Sequence, residues 1–166
     1  RRDEDDIVTP ASAYGNALHS VMYLLARVKF DKSWKQLSHH LRLSASEHGV
    51  SDRVADLERD VMAILGTPII QRAKTAEVLR PEVSLMDIRD NQIIRGSADL
   101  VFADTKDSEL VLIDYKTNKD LTAEKIAKYK KQLDEYAEVL EKTFKKPVTE
   151  RILIHVHQGV VSEVLV

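Results

Sequence analysis

Asp114 and Lys116 stand two positions apart at the end of an unbroken apolar run, Leu110, Val111, Leu112 and Ile113. A run so rich in residues that favour pleated structure reads as a buried strand over residues 109–117. Alternate side chains of a strand share a face, so this carboxylate and this ammonium enter one space roughly 7 Å apart along the chain. Leaving them there costs free energy unless something offsets their desolvation, as a divalent cation and a phosphate would. Asp99 lies on the preceding apolar segment, within Arg95-Gly-Ser-Ala-Asp-Leu-Val-Phe102, and His19 lies far upstream. Two carboxylates from neighbouring strands and one imidazole suit a hard cation. A nearby lysine could orient or deprotonate water, or stabilise charge on a phosphate.

The elements that must position these groups follow from periodicity and punctuation. Residues 1–9 are charged and expected to fray. Pro10 opens a helix reaching about residue 29, whose apolar face is Leu18, Val21, Met22 and Leu25. His19 borders that face, one turn after Gly15. A glycine inside a helix costs about 1 kcal/mol relative to alanine, and its expected use is close approach beside His19. The plainer reading of His19, a half-buried histidine with a satisfied hydrogen bond, stays open on this helix alone. Residues 33–47 form a second helix, capped by Ser33, with Trp34, Leu37 and Leu41 as its buried stripe. His39 and His40 face ~100° apart and cannot chelate together, so they read as surface residues. Asp52 caps a third helix with the stripe Val54, Leu57, Val61, Ile64 and Leu65, stopped by Gly66, and Thr67-Pro68 starts a short fourth.

From residue 78 the period changes. Residues 78–88 and 92–102 are strands joined by the turn Asp90-Asn91, and a polar turn over 104–108 leads into the central strand. Residues 122–142 form a long helix with the core stripe Ile126, Tyr129, Leu133, Ala137 and Leu140. Lys125, Gln132 and Tyr136 line one flank of it. Residues 151–157 and 160–166 are strands around the turn Gln158-Gly159.

The chain has 166 residues, 43% hydrophobic and 31% charged, the size and composition of one globular domain. Net charge is −2, so any nucleic-acid contact must use a local patch. There is no cysteine, which excludes disulfides and a thiolate-bound iron–sulfur cluster. No apolar run nears the ~18 residues of a membrane span. The start lacks Met, and the chain reads as a piece of a longer protein.

Gly15-Asn-Ala-Leu-His19, Gly96-Ser-Ala-Asp-Leu-Val-Phe102, Ile113-Asp-Tyr-Lys-Thr117 and Gln132-Leu-Asp-Glu-Tyr136 occur in this order. Together they resemble the motifs of RecB-like and AddA-like nuclease domains of the PD-(D/E)XK superfamily over roughly residues 12–166. The resemblance implies an α/β fold with a restriction-endonuclease-like αβββαβ core, a mixed central sheet flanked by helices, and additional N-terminal helices. It implies that His19, Asp99 and Asp114 bind Mg²⁺ or Mn²⁺, joined by the Tyr115 carbonyl, with Asp99, Asp114 and Lys116 catalytic and no iron–sulfur cluster. Gln132 and Tyr136 match a motif that borders the site and helps hold Lys116 or DNA. Glu82 matches a glutamate of the first strand. Asp114 replaces the Glu that the family name often carries two places before the lysine. Lys119, Lys125 and Lys128, with Lys130 and Lys131, either contact the DNA backbone or form a solvated helix face.

The resemblance further implies one nuclease domain over 1–166, the C-terminal part of a helicase–nuclease of double-strand break repair and recombination. Its partners would be DNA, a covalently linked helicase motor and a second helicase–nuclease subunit, with no membrane. Its place would be the cytoplasm, bacterial in type, at the nucleoid. A non-catalytic module binding DNA or a partner, and a stand-alone RecB-family exonuclease, are the alternatives.

Overall fold

Thr9 accepts the Ser12 N–H on its side chain while the Ser12 hydroxyl accepts the Thr9 N–H. This reciprocal cap starts α1, Pro10–Arg27. The structure, a computed structural model, describes residues 9–166. Thr9 is therefore a fixed cap rather than part of a frayed lead, and residues 1–8 lie outside the described residues. Leu18, Val21, Met22 and Leu25 are fully buried, as their spacing requires.

The second helix, α2, covers Leu37–Glu47 and begins four residues later than expected. Asp31 Oδ1 accepts both the backbone N–H (2.9 Å) and the hydroxyl (2.6 Å) of Ser33. The expected cap is thus consumed in a local turn. Trp34 is half-buried against the core and stacks on His40, ring centroids 5.0 Å apart; His39 is exposed and His40 half-buried. A single 3-10 turn, Ser51–Arg53, precedes α3, Val54–Leu65, so Asp52 caps nothing. Thr67, extended, leads into α4, Pro68–Lys74.

Five strands follow: β1 Val78–Arg89, β2 Gln92–Ala103, β3 Leu110–Lys116, β4 Val148–His157 and β5 Val160–Leu165, with α5, Ala123–Phe144, between β3 and β4. They form one sheet in the order β1-β2-β3-β4-β5. Only β3 and β4 are parallel, crossed over by α5. Both hairpins turn on two left-handed residues, Asp90-Asn91 and Gln158-Gly159, the turn that matches strand twist.

The helices ahead of the sheet bury one face of it against Leu100, Phe102, Val111, Ile113 and Ile154. On the opposite face, α5 places Leu133, Ala137 and Leu140 against Val101, Leu112 and Leu153. This is the expected α/β architecture with a mixed sheet between helices and additional helices at the start. Among the described residues no helix is long and apolar enough to cross a membrane. Ile113 is fully buried in the centre of this arrangement. Ile113→Ala should cost about 2–5 kcal/mol, read as a lowered urea midpoint at unchanged slope.

The sheet is irregular at the start of β3, where its register with β4 shifts between Leu110 and Val111, and, more consequentially, where β2 leaves β3. β2 pairs with β3 only from Leu100–Ile113 to Phe102–Val111, while β3 continues beside β4 as far as Lys116–His155. Past Leu100, β2 departs with β1. Glu82, opposite Asp99 by register, has φ 47°. On either side of it the strands exchange faces: Leu79 and Leu100 belong to the α1–α4 side, Val83 and Ala98 to the α5 side.

Candidate active site

Asp99 and Asp114 sit one step beyond the last β2–β3 pair, in the fork where the two strands separate. The fork leaves a β3 amide without a strand partner, and Asp99 supplies one: the Tyr115 N–H donates to Asp99 Oδ2 at 2.9 Å. Asp114 is buried, 6% exposed. Lys116, on the same face of β3, brings Nζ to 2.8 Å from Asp114 Oδ2. That contact joins opposite charges without hydrogen-bond alignment, and Asp114 Oδ2 remains buried with no hydrogen-bond partner. On its other side the Lys116 ammonium lies over the Tyr129 ring, 4.3 Å from the centroid, a favourable cation–π placement.

His19 reaches the fork from α1. Its Nε2 lies 2.9 Å from the Tyr115 carbonyl. A carbonyl only accepts, so Nε2 carries the proton and the neutral ring keeps its lone pair on Nδ1. Nδ1 faces Asp99 Oδ1 at 3.6 Å. Gly15 makes the approach possible, since a Cβ there would stand 3.0 Å from Thr117 Oγ1.

The electrostatics arise from this crowding. Burial first, and then the Asp114 charge, push the Asp99 carboxyl well above the usual carboxylate range. Burial lowers the His19 imidazole, against the pull of the Tyr115 carbonyl and Asp114; a side chain 35% exposed moderates that effect. Burial alone would lower the Lys116 amine, but contact with Asp114 and the charge of Asp99 more than offset it, and the pKa ends above its ordinary value. The pocket thus holds two carboxyl groups, a neutral imidazole and a protonated lysine.

The other expected residues divide. Tyr136 lies flat on β2 across Gly96, where a Cβ would come within 2.6–2.8 Å of its ring. Gly96→Ala should displace Tyr136 and lower stability by about 1–3 kcal/mol, visible as a lower thermal midpoint. Gln132 is half-buried one turn before it on α5. The Tyr115 carbonyl is engaged by His19. Glu82 is exposed and left-handed, opposite Asp99. Lys119, Lys125 and Lys128 are exposed, and only Lys119 borders the cleft beside the site. Among the described residues no three of His, Asp and Glu yet stand in a chelating arrangement.

Two neighbours escaped the sequence reading. The helical period puts Tyr129 in the core stripe, but it is half-buried, supports Lys116 and donates its hydroxyl to Asn118 Oδ1 at 3.1 Å. Asp60 is 2% exposed on α3. Its signal was a carboxylate three residues after Leu57 and four before Ile64, on the apolar stripe itself.

A fork in a mixed sheet that gathers two aspartates, a lysine and a helix-borne histidine defines a class of protein. The chain belongs to the PD-(D/E)XK nuclease superfamily, whose family model matches residues 1–164. It is 40% identical over 67 residues to an ATP-dependent helicase/nuclease subunit of Streptococcus pyogenes serotype M5 (strain Manfredo), and equally to its counterpart in serotype M49 (strain NZ131). Each match covers 40% of this chain and only 5% of the relative's length. The solved structure described as "Crystal structure of SSO0001" aligns over 93% of this chain and 75% of its own, at 14% identity and a TM-score of 0.44.

Proposed function

We propose that the chain is a divalent-metal-dependent deoxyribonuclease domain that hydrolyses DNA phosphodiesters as an exonuclease. The observation carrying this reading is the convergence of Asp99, Asp114, His19 and Lys116 in the β2–β3 fork, where the buried Asp114 Oδ2 makes no hydrogen bond and is met only by the Lys116 ammonium. The donor set fits Mg²⁺ or Mn²⁺: two hard carboxylates, and an imidazole lone pair aimed at one of them. Asp99, Asp114 and His19 would hold the ion, with the Tyr115 carbonyl joining them. The bound ion supplies a nucleophilic water at neutral pH and offsets charge that builds on the phosphate.

The chain's own residues do the rest. Asp114 and Asp99 keep the Lys116 amine protonated, so Lys116 Nζ presents a positive charge and a hydrogen-bond donor to a phosphate oxygen rather than a base. Tyr129 and Asp114 hold that ammonium from two sides. Tyr136, seated on Gly96 and within reach of the Asp114 and Lys116 charges, would border it, with Gln132 one turn earlier on α5. Glu82, opposite Asp99 by register, would stand at the rim, and Lys119, which borders the cleft, with the exposed Lys125 and Lys128, would meet the DNA backbone.

The relatives' name, an ATP-dependent helicase/nuclease subunit, supports a link to a helicase motor; the wider reading we add to it is a single nuclease domain covalently joined to that motor, paired with a second helicase–nuclease subunit and acting on double-strand breaks in a bacterial cytoplasm at the nucleoid. The test is incubation with linear single- and double-stranded DNA in Mg²⁺ or Mn²⁺, with EDTA as control. Degradation that EDTA abolishes is expected. Folded, metal-loaded protein that leaves both substrates intact would sink the reading.

A further inference from the structure

A cleft of about 480 Å³ opens from the His19–Lys116 end of the site and runs between the start of α1, α3 and the β4–β5 turn. Its far wall is built on Asp60. The Tyr14 hydroxyl donates to Asp60 Oδ2 at 2.5 Å, and the Gly159 N–H (2.7 Å) and Arg59 Nε (3.2 Å) donate to Oδ1. One carboxylate therefore clamps three separate elements, and Arg59 offsets its charge. Burial, followed by the bond to Asp60, keeps the Tyr14 phenol protonated well above its ordinary range. Tyr14 is thereby fixed, and the Arg53 guanidinium lies over its ring, 3.9 Å from the centroid. Arg53 Nε contacts Asp56 Oδ2 at 3.2 Å, and its two terminal nitrogens hold no hydrogen-bond partner among the described residues. Lys119 borders the same cleft. Among the described residues that line it, Arg53, Lys116 and Lys119 stand against one carboxylate, Asp60, already saturated, so in a chain of net charge −2 the cleft leads out of the fork past a local group of cations.

We propose that this cleft is a second nucleotide subsite, in which Arg53 binds the phosphate next to the one cleaved. A planar guanidinium laid on an aromatic ring is a pre-set donor fork for phosphate, and its outer face can stack a base. The inference rests on the nuclease reading for the role of the neighbouring fork, but the binding it describes does not require turnover.

The experiment measures binding of a short fluorescent oligothymidylate to the whole chain in EDTA, by anisotropy at several salt concentrations. Arg53→Ala, Arg53→Lys and the control Lys32→Ala, in the exposed loop at the other end of α1, are compared with the unaltered protein. Thermal melts establish that each is folded. Arg53→Ala should weaken binding ~10-fold and lower the salt slope by about one. Arg53→Lys keeps the charge without fork or platform and should fall between. Lys32→Ala should bind as the unaltered protein does. If Arg53→Ala misfolds, Arg53→Lys and Arg53→Gln decide the question. Folded Arg53 variants that bind within about twofold of the unaltered protein would overturn the subsite and reduce Arg53 to a strut for Tyr14 and Asp56. Cleavage in Mn²⁺ by Asp114→Asn separates the two readings. Its loss beside normal binding by the Arg53 variants removes the subsite alone. Its persistence removes Asp114 from the mechanism, whereas absence of EDTA-sensitive cleavage by the unaltered protein removes the nuclease assignment and leaves the binding result to stand by itself.

Discussion

Asp114→Asn is expected to slow DNA cleavage by at least ~10³-fold while the protein stays folded. A bound cation would lower the barrier by several kcal/mol, and each 1.4 kcal/mol is about tenfold in rate. Asparagine keeps the shape of the side chain and removes the charge that pairs with Lys116 and that would hold the proposed ion. The loss enters twice, because burial of the Lys116 amine is offset chiefly by Asp114. Stability has compensating terms. The Lys116 pair is lost, but the repulsion that raises Asp99 is also relieved, and Lys116 keeps its contact with Tyr129. A gel time course beside a circular-dichroism melt checks this, and calorimetric titration with Mn²⁺ should lose its heat. Cleavage within about tenfold of the unaltered protein would remove Asp114 from the mechanism.

Asp99→Asn should separate stability from function in the opposite sense. The Asp99 carboxyl is held well above its unfolded value of 3.8, so in that window the folded chain binds more protons than the unfolded one. Stability of the metal-free protein must then fall as pH rises from about 4 through the raised folded value. Asparagine replaces the missing proton with a permanent N–H and can still accept the Tyr115 amide. The metal-free variant should therefore melt higher than the unaltered protein at pH 7, by about 2–4 °C for each kcal/mol relieved, with a flatter pH profile. In Mn²⁺ the order reverses, because only the unaltered protein gains stability from binding. Cleavage is lost as well. A metal-free Asp99→Asn protein that melts below the unaltered one at neutral pH contradicts this account of the fork.

Much of the fold was legible because its signals were local and redundant. The α1 stripe, the Asp90-Asn91 and Gln158-Gly159 turns and the apolar run of β3 each satisfy periodicity and punctuation at once. Errors arose where a side chain had two competing uses. Ser33 looked like a cap until Asp31 claimed its amide, and Asp52 stood ready before a helix that starts two residues later. In the site, the alternation of β3 placed Asp114 and Lys116 together correctly. It could not show that the β2–β3 ladder stops at Leu100, or that Asp99 takes the amide this releases. Tyr129 and Asp60 were obscure for one reason: an aromatic or a short carboxylate on a helical stripe carries the same pattern whether it fills the core or serves a cleft.

The left-handed backbone at Glu82 governs more than its own residue. Ordinary alternation would carry Leu79, Val83 and Leu85 to a single side of the ribbon, and the extra half-twist there moves the last two to the opposite layer. Were residue 82 to take an ordinary extended conformation at unchanged chain length, simple alternation would return. Leu85, now covered, would then turn outward, and the neighbours Met86 and Ile88, now bare to solvent, would be driven against α5. One backbone dihedral thus decides which side of the hairpin's far half is hidden, a choice no single side chain there controls.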